Sequence, residues 1–134
     1  MSLALDSDPA ELQRLADAIE EFAEREGWSP DLAFKINLVL EEMVMNVITH
    51  GNVDGLAEIQ VKVTSSEDSV ALQLVDNGVA FDPLTDAPEP EIAGSVQERH
   101  IGGLGIHLVR TMMDHISYER AEGRNLLTMT TKKA

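Results

Sequence analysis

Gly102-Gly103-Leu104-Gly105-Ile106-His107-Leu108-Val109-Arg110-Thr111-Met112-Met113-Asp114 is the stretch on which the reading of this chain turns. Three glycines in four positions leave the backbone almost bare, and apolar groups follow at helical spacing: Leu104, then Leu108 with Val109, then Met112 with Met113. A bare loop that opens a helix presents unpaired N–H groups at the positive end of the helix dipole. That is a site for an anion, and most often for a phosphate. A tight turn whose glycines only relieve positive φ would give the same letters, so the flanking sequence has to decide.

On the upstream side, residues 79–101 carry Pro83, Pro88 and Pro90 together with Asp82, Asp86, Glu89 and Glu91. An irregular segment this long inside a small domain usually has a function of its own, and a lid is expected at about 84–101. Arg99 and His100 are the only basic residues between positions 63 and 107. Either can reach a phosphate, and Arg99 is the candidate. Before the lid, Ile59, Val61 and Val63 alternate with Gln60 and Lys62, which predicts a half-buried strand from Glu58 to Thr64. A short turn at Ser65-Ser66-Glu67-Asp68 leads into a second strand, Val70 to Val75, so the two form a hairpin. Downstream of the glycines, Ile116 to Ala121 and Leu126 to Thr131 predict another hairpin, around Glu122-Gly123-Arg124-Asn125.

The first part of the chain is helical. Asp6-Ser7-Asp8-Pro9 is a helix start, and Leu12, Leu15, Ile19 and Phe22 make one buried face on a helix from about Pro9 to Glu26. Ser29-Pro30-Asp31 starts the next helix, expected from about Asp31 to His50 and apolar around much of its circumference. A short strand is expected at Leu3-Ala4-Leu5. Grouped helices and hairpins predict a single α+β domain over 1–134. It is a two-layer sandwich: one mixed, mostly antiparallel sheet with helices on one face.

At 134 residues and 43% hydrophobic the chain can bury a core of its own. Asp and Glu number 24 against 10 Lys and Arg, a formal net charge of -14. Such a chain is repelled by nucleic-acid backbones and anionic membranes, and a basic protein is its natural macromolecular complement. A nucleotide would need a divalent cation, backbone donors or a few placed basic groups to hold its phosphates. There is no cysteine, which excludes disulfide, thiolate and zinc–thiolate chemistry. No apolar run reaches the roughly 18 residues of a membrane span, and no leader pattern opens the chain. A cytoplasmic protein is expected.

Two further places carry chemistry. Glu42 and Asn46 are four apart, so they share a helix face within an apolar helix. The Asn46 amide oxygen suits Mg²⁺, and Glu42 can act as a general base. The plainer alternative is a solvated stripe or a helix-to-loop hydrogen bond. Glu41 points about 100° away and is expected on the surface, and His50 is expected to serve the helix C-terminus. The other place is Asp76-Asn77-Gly78. Strand parity puts Asp76 on the face of Val70, Leu72 and Leu74, at the rim of the core layer. A carboxylate there can accept from an exocyclic amine, and Gly78 lets a flat ligand approach the backbone. A β-turn satisfied by its own Asp and Asn is the alternative.

Glu-x-x-x-Asn on a helix, Asp-x-Gly at a strand end, a lid, then Gly-x-Gly opening a helix: in this order the motifs resemble the GHKL (Bergerat-fold) ATP-binding superfamily. The closest look is to the bacterial anti-sigma-factor serine/threonine kinases. Finer cues are His50-Gly51 after Asn46, Phe81-Asp82-Pro83, Met113-Asp114, and the tail Tyr118-Glu119-Arg120 with Gly123-Arg124-Asn125-Leu126-Leu127-Thr128-Met129. The resemblance implies ATP and Mg²⁺ as cofactors, with Asn46 as the metal ligand and Glu42 as the catalytic base. It implies Asp76 on the adenine amine, Gly78 against the base, and Gly102, Gly103, Leu104 and Gly105 around the triphosphate, with Arg99 beside them. The partner it implies is an anti-sigma-factor antagonist that receives the phosphoryl group, with a sigma factor or a second copy of the chain as further partners. Ala80 stands where many members have a second glycine, and the lid has no lysine. The alternative function is a non-catalytic ATP-binding interaction module whose lid state controls partner binding. The catalytic domain of a histidine kinase is disfavoured, because no phosphoacceptor helix pair is read ahead of the motifs.

Overall fold

Asp8 closes the turn that leads into the first helix, which starts two residues later than the expected Pro9, and Ser29 caps the second. In the computed structural model, which describes residues 1–51, 58–80, 82 and 103–133, the Asp8 carboxylate accepts from the Ala10 N–H at 2.9 Å. Helix α1 then runs over Glu11–Glu26. It ends at Gly27, whose φ of 68° lies in the left-handed region that a glycine enters without strain. Ser29 Oγ accepts from the Leu32 N–H at 3.2 Å, and α2 spans Pro30–Asn46 with proline in its first turn. Ser29→Ala is expected to cost about 1 kcal/mol by removing that cap, measured as the shift in chemical denaturation at constant slope.

The second helix departs from the expected span. α-Helical bonding stops at Asn46, and Val47–Gly51 continues as a π-helical turn. The Val47 N–H is shared between the carbonyls of Met43 and Val44. Val47, Ile48 and Thr49 are three β-branched residues in a row, which crowd an α-helical ladder. Val47 and Ile48 pack against the core, so tertiary contact keeps the segment wound. Phe34, read from sequence as part of the apolar surface of this helix, is 66% exposed.

Among the described residues five strands form one sheet: β1 (Ser2–Asp6), β2 (Glu58–Ser65), β3 (Ser69–Asp76), β4 (His115–Ala121) and β5 (Arg124–Lys132). Their order is β1-β2-β3-β5-β4, and every pairing is antiparallel. One face of the sheet is the core face. Ile59, Val61 and Val63 of β2 lie beside Asp76, Leu74 and Leu72 of β3. These in turn lie beside Asn125, Leu127 and Met129 of β5. All nine are buried.

The helices cover this face. Leu15, Ile19 and Ala23 of α1, Ile36, Val39, Leu40, Met43 and Val44 of α2, and Ile106 and Val109 of α3 (Gly103–Met112) are buried. Side chains tie the layers together. Arg14 donates to the Ala4 carbonyl of β1, Trp28 Nε1 to Ser65 Oγ of β2, and Lys35 Nζ to Thr131 Oγ1 of β5. The α+β two-layer architecture read from the sequence is therefore the observed one.

The last hairpin is tighter than expected. Its loop is only Glu122-Gly123, at φ 52° and 74°. Two residues with positive φ are what a type I′ connection between antiparallel strands requires. Arg124 and Asn125, read from sequence as turn residues, are the first two residues of β5.

Candidate functional site

The core face of the sheet ends on a polar pair. Asp76 is the last residue of β3 and only 4% exposed; Asn125, its register partner on β5, is 5% exposed. Burying a carboxylate is costly unless donors meet it. Here two do, both on Oδ1: the Gly78 N–H at 2.9 Å and Asn125 Nδ2 at 3.0 Å. The first bond is the local Asp turn that sequence allowed; the second crosses to another strand. Because both fall on Oδ1, the other oxygen is, among the described residues, the acceptor left to a ligand. Asn77 has a separate, structural task. Its Oδ1 accepts from the Glu58 N–H at 2.7 Å and closes the end of the β2–β3 pair.

Asn125 is the site residue that the sequence reading passed over. Besides Asp76, its Nδ2 donates to the Val79 carbonyl at 2.8 Å. Its Oδ1 accepts from the Tyr118 hydroxyl and from Arg120 Nη1 at 3.2 Å, and the same arginine nitrogen donates to the Gly78 carbonyl at 2.9 Å. The turn after β3 is thus held from β4 and β5 as well as by Asp76. The signal was available. Asn125 is two residues before Leu127 and four before Met129, so strand parity puts it on the core face, by the argument that placed Asp76.

On α2, Asn46 and Glu42 stand one turn apart. Asn46 is 9% exposed, and its Nδ2 is buried without a partner among the described residues. An orphaned buried donor is expensive, and an acceptor such as a phosphate oxygen beside it would remove that cost, leaving the amide oxygen for a cation. Glu42 is half-buried, while Glu41 is exposed, as expected. Burial first, and then the charge of Glu41, raise the pKa of the Glu42 carboxyl from its ordinary value. Among the described residues no cluster of three acidic or histidine side chains could hold a metal ion by itself. Mg²⁺ needs no such cluster, since it commonly takes one or two protein ligands and completes its shell with substrate phosphates and water. The donor set around Asn46 fits that habit.

The glycine stretch is helical where it is described. Gly103, Leu104 and Gly105 form the first turn of α3, not a loop ahead of it. The amide groups of a first helical turn have no partners within the helix, so their donor capacity toward a phosphate is unchanged. α3 packs against α2, the helix that carries Glu42 and Asn46. Arg99, His100, Gly102 and the lid expected at about 84–101 lie outside the described residues, as does the side chain of His50.

The family model for the histidine kinase-like ATPase domain matches residues 5–131, almost the whole chain. The chain belongs to this family. It is 36% identical over 117 residues to the serine/threonine-protein kinase BtrW of Bordetella bronchiseptica, covering 87% of this chain and 82% of that one. It is 30% identical over 108 residues to the serine-protein kinase RsbW of Bacillus cereus, covering 78% and 68%. Two solved structures share the fold at low identity. The RsbU and RsbW domains of a Mycobacterium tuberculosis protein superpose with a TM-score of 0.64 at 13% identity, over 98% of this chain and 32% of that longer one. The catalytic domain of the histidine kinase ThkA superposes with a TM-score of 0.56 at 16% identity, over 99% and 98%. The expectation of an anti-sigma-factor-type serine/threonine protein kinase is borne out by the family and these relatives. The ATP-binding fold is likewise the expected one.

Proposed function

We propose that the chain transfers the γ-phosphoryl group of ATP to a serine or threonine of an anti-sigma-factor antagonist, with Mg²⁺ at Asn46 and Glu42 as the base. The observation that carries this reading is the buried Asp76 carboxylate, whose donors among the described residues both fall on Oδ1, in a chain of the ATPase family. The 6-amino group of adenine is a donor that suits the remaining oxygen. Gly78, without a side chain, lets the flat ring lie against the turn.

The division of labour follows from the chemistry of each group. Asn46 would hold Mg²⁺ by its amide oxygen, and the amides of Gly103, Leu104 and Gly105 would donate to phosphate oxygens. Gly102 and Arg99 are proposed as further phosphate contacts. Glu42 accepts the proton of the attacking hydroxyl. Mg²⁺, when bound, offsets negative charge on the triphosphate and on the phosphoryl group in transit. Orienting the hydroxyl and keeping water out fall to the protein. Beyond the antagonist, a sigma factor and a second copy of the chain are proposed partners. Among the described residues no helix is long and apolar enough to cross a membrane, and a cytoplasmic location is proposed.

Calorimetric titration with ATP tests the site. The wild type is expected to bind ATP more tightly with Mg²⁺ than without. Asn46→Ala is expected to lose that magnesium-dependent gain and to keep the metal-free affinity. A variant that keeps the full magnesium effect would take Asn46 out of the metal site.

A further inference from the structure

We propose that Asn125, held in place by Tyr118 and Arg120 of β4, is a positioning residue that makes the Asp76 site select a 6-amino purine over a 6-oxo purine. The inference rests on the reading of Asp76 as the base-binding group and concerns what restricts that group.

A free carboxylate has two oxygens and can swing about its last torsion. It would accept from the 6-amino group of adenine. It would accept equally from the ring N1–H of hypoxanthine, one atom further along the ring edge, after a small rotation. Asp76 has no such freedom. Its Oδ1 is held at 3.0 Å by Asn125 Nδ2 and at 2.9 Å by the Gly78 N–H. One oxygen in one place remains. A 6-amino group set against it donates; a 6-oxo group set there opposes acceptor to acceptor, and the carboxylate cannot turn to reach the neighbouring N1–H.

The amide of Asn125 is itself oriented. Its oxygen accepts from the Tyr118 hydroxyl and Arg120, so its nitrogen must face Asp76 and the Val79 carbonyl. The reversed amide would set its NH₂ against the Tyr118 hydroxyl and the Arg120 cation, and its oxygen against a carboxylate and a carbonyl. Arg120 also holds the Gly78 carbonyl at 2.9 Å, so the turn that supplies the second Asp76 donor is fixed from the same strand. Selectivity for the base is in this way assigned to β5 and the edge strand β4, neither of which carries Asp76.

The test measures ATP and ITP dissociation constants for the wild type, Asn125→Asp and Tyr118→Phe, each at saturating Mg²⁺. Asn125→Asp keeps the shape and removes the donor. It is expected to reduce ATP affinity about tenfold and to reduce the ATP-over-ITP preference by a similar factor. Tyr118→Phe keeps the donor and loosens its anchor, and is expected to reduce the preference a few-fold with little loss of ATP affinity. A purely structural role would lower both affinities in proportion, through the folded fraction, and leave their ratio alone. If Asn125→Asp does not fold, Tyr118→Phe decides. A wild-type preference for ATP that persists in the variants overturns this proposal and leaves the kinase reading intact. A wild type that binds neither nucleotide overturns both.

Discussion

Glu42→Gln is expected to bind ATP with Mg²⁺ as the wild type does and to lose phosphoryl transfer by about 10²- to 10⁴-fold, the usual contribution of a general base. Glutamine keeps the shape and polarity of the side chain, so the nucleotide contacts assigned to Asn46 and Asp76 have no reason to change. What it cannot do is take a proton. Glu42 suits that task because burial and the adjacent Glu41 charge raise its pKa, bringing the carboxylate nearer to working pH as a base. The same shift fixes the sign of the stability effect. A carboxyl with a raised folded-state pKa binds its proton more firmly in the fold than in the unfolded chain. Stability is therefore lost as pH rises from the unfolded value through the folded one, and the deficit persists at neutral pH. Glu42→Gln should accordingly melt no lower than the wild type at pH 7, and its melting should lack this component of pH dependence. The wild-type transfer rate should rise with pH through the Glu42 pKa, and Glu41→Gln should move that rise to lower pH. Transfer to the antagonist is followed with radiolabelled ATP. Full activity in Glu42→Gln would strip Glu42 of the base role.

Asp76→Asn should weaken ATP by roughly 10- to 150-fold, about 1.5–3 kcal/mol for a hydrogen bond to a charged group. The fold should survive, because the amide oxygen of asparagine can still accept from Asn125 Nδ2 and the Gly78 N–H at the Oδ1 position. The amide NH₂ would then occupy the place of Oδ2 and oppose the 6-amino group of adenine, donor to donor. Melting and calorimetry together check this. Lost affinity with a retained melting transition supports a ligand role; unchanged affinity would remove Asp76 from the pocket.

Much of the architecture was legible in the letters. The alternation of Ile59, Val61 and Val63, the parity of Leu72, Leu74 and Asp76, and the Ser29 cap are local signals. Each was obeyed by the fold because burial and local bonding ask for the same thing there. Where they compete, the reading fell short. The end of α2 looks like four more residues of ordinary helix, 47–50. Consecutive β-branched residues crowd the α ladder while core contact holds the segment wound, and a π turn reconciles the two. Phe34 has the hydrophobicity of a core residue, yet it is largely exposed among the described residues.

The sequence by itself determined the α+β class, the helix starts, the strand parity that turns Asp76 inward, and the one-turn spacing of Glu42 and Asn46. These follow from periods of 3.6 and 2 and from side chains that bond to their own backbone. The tertiary structure alone decided that Asn125 stands beside Asp76, 49 residues away in sequence, and that Tyr118 and Arg120 fix its amide. It also decided that Asn46 is buried with an Nδ2 unmatched among the described residues. Register across β3, β5 and β4 sets these contacts. Register is fixed by the cooperative fit of whole strands and a two-residue loop, and no single residue carries it.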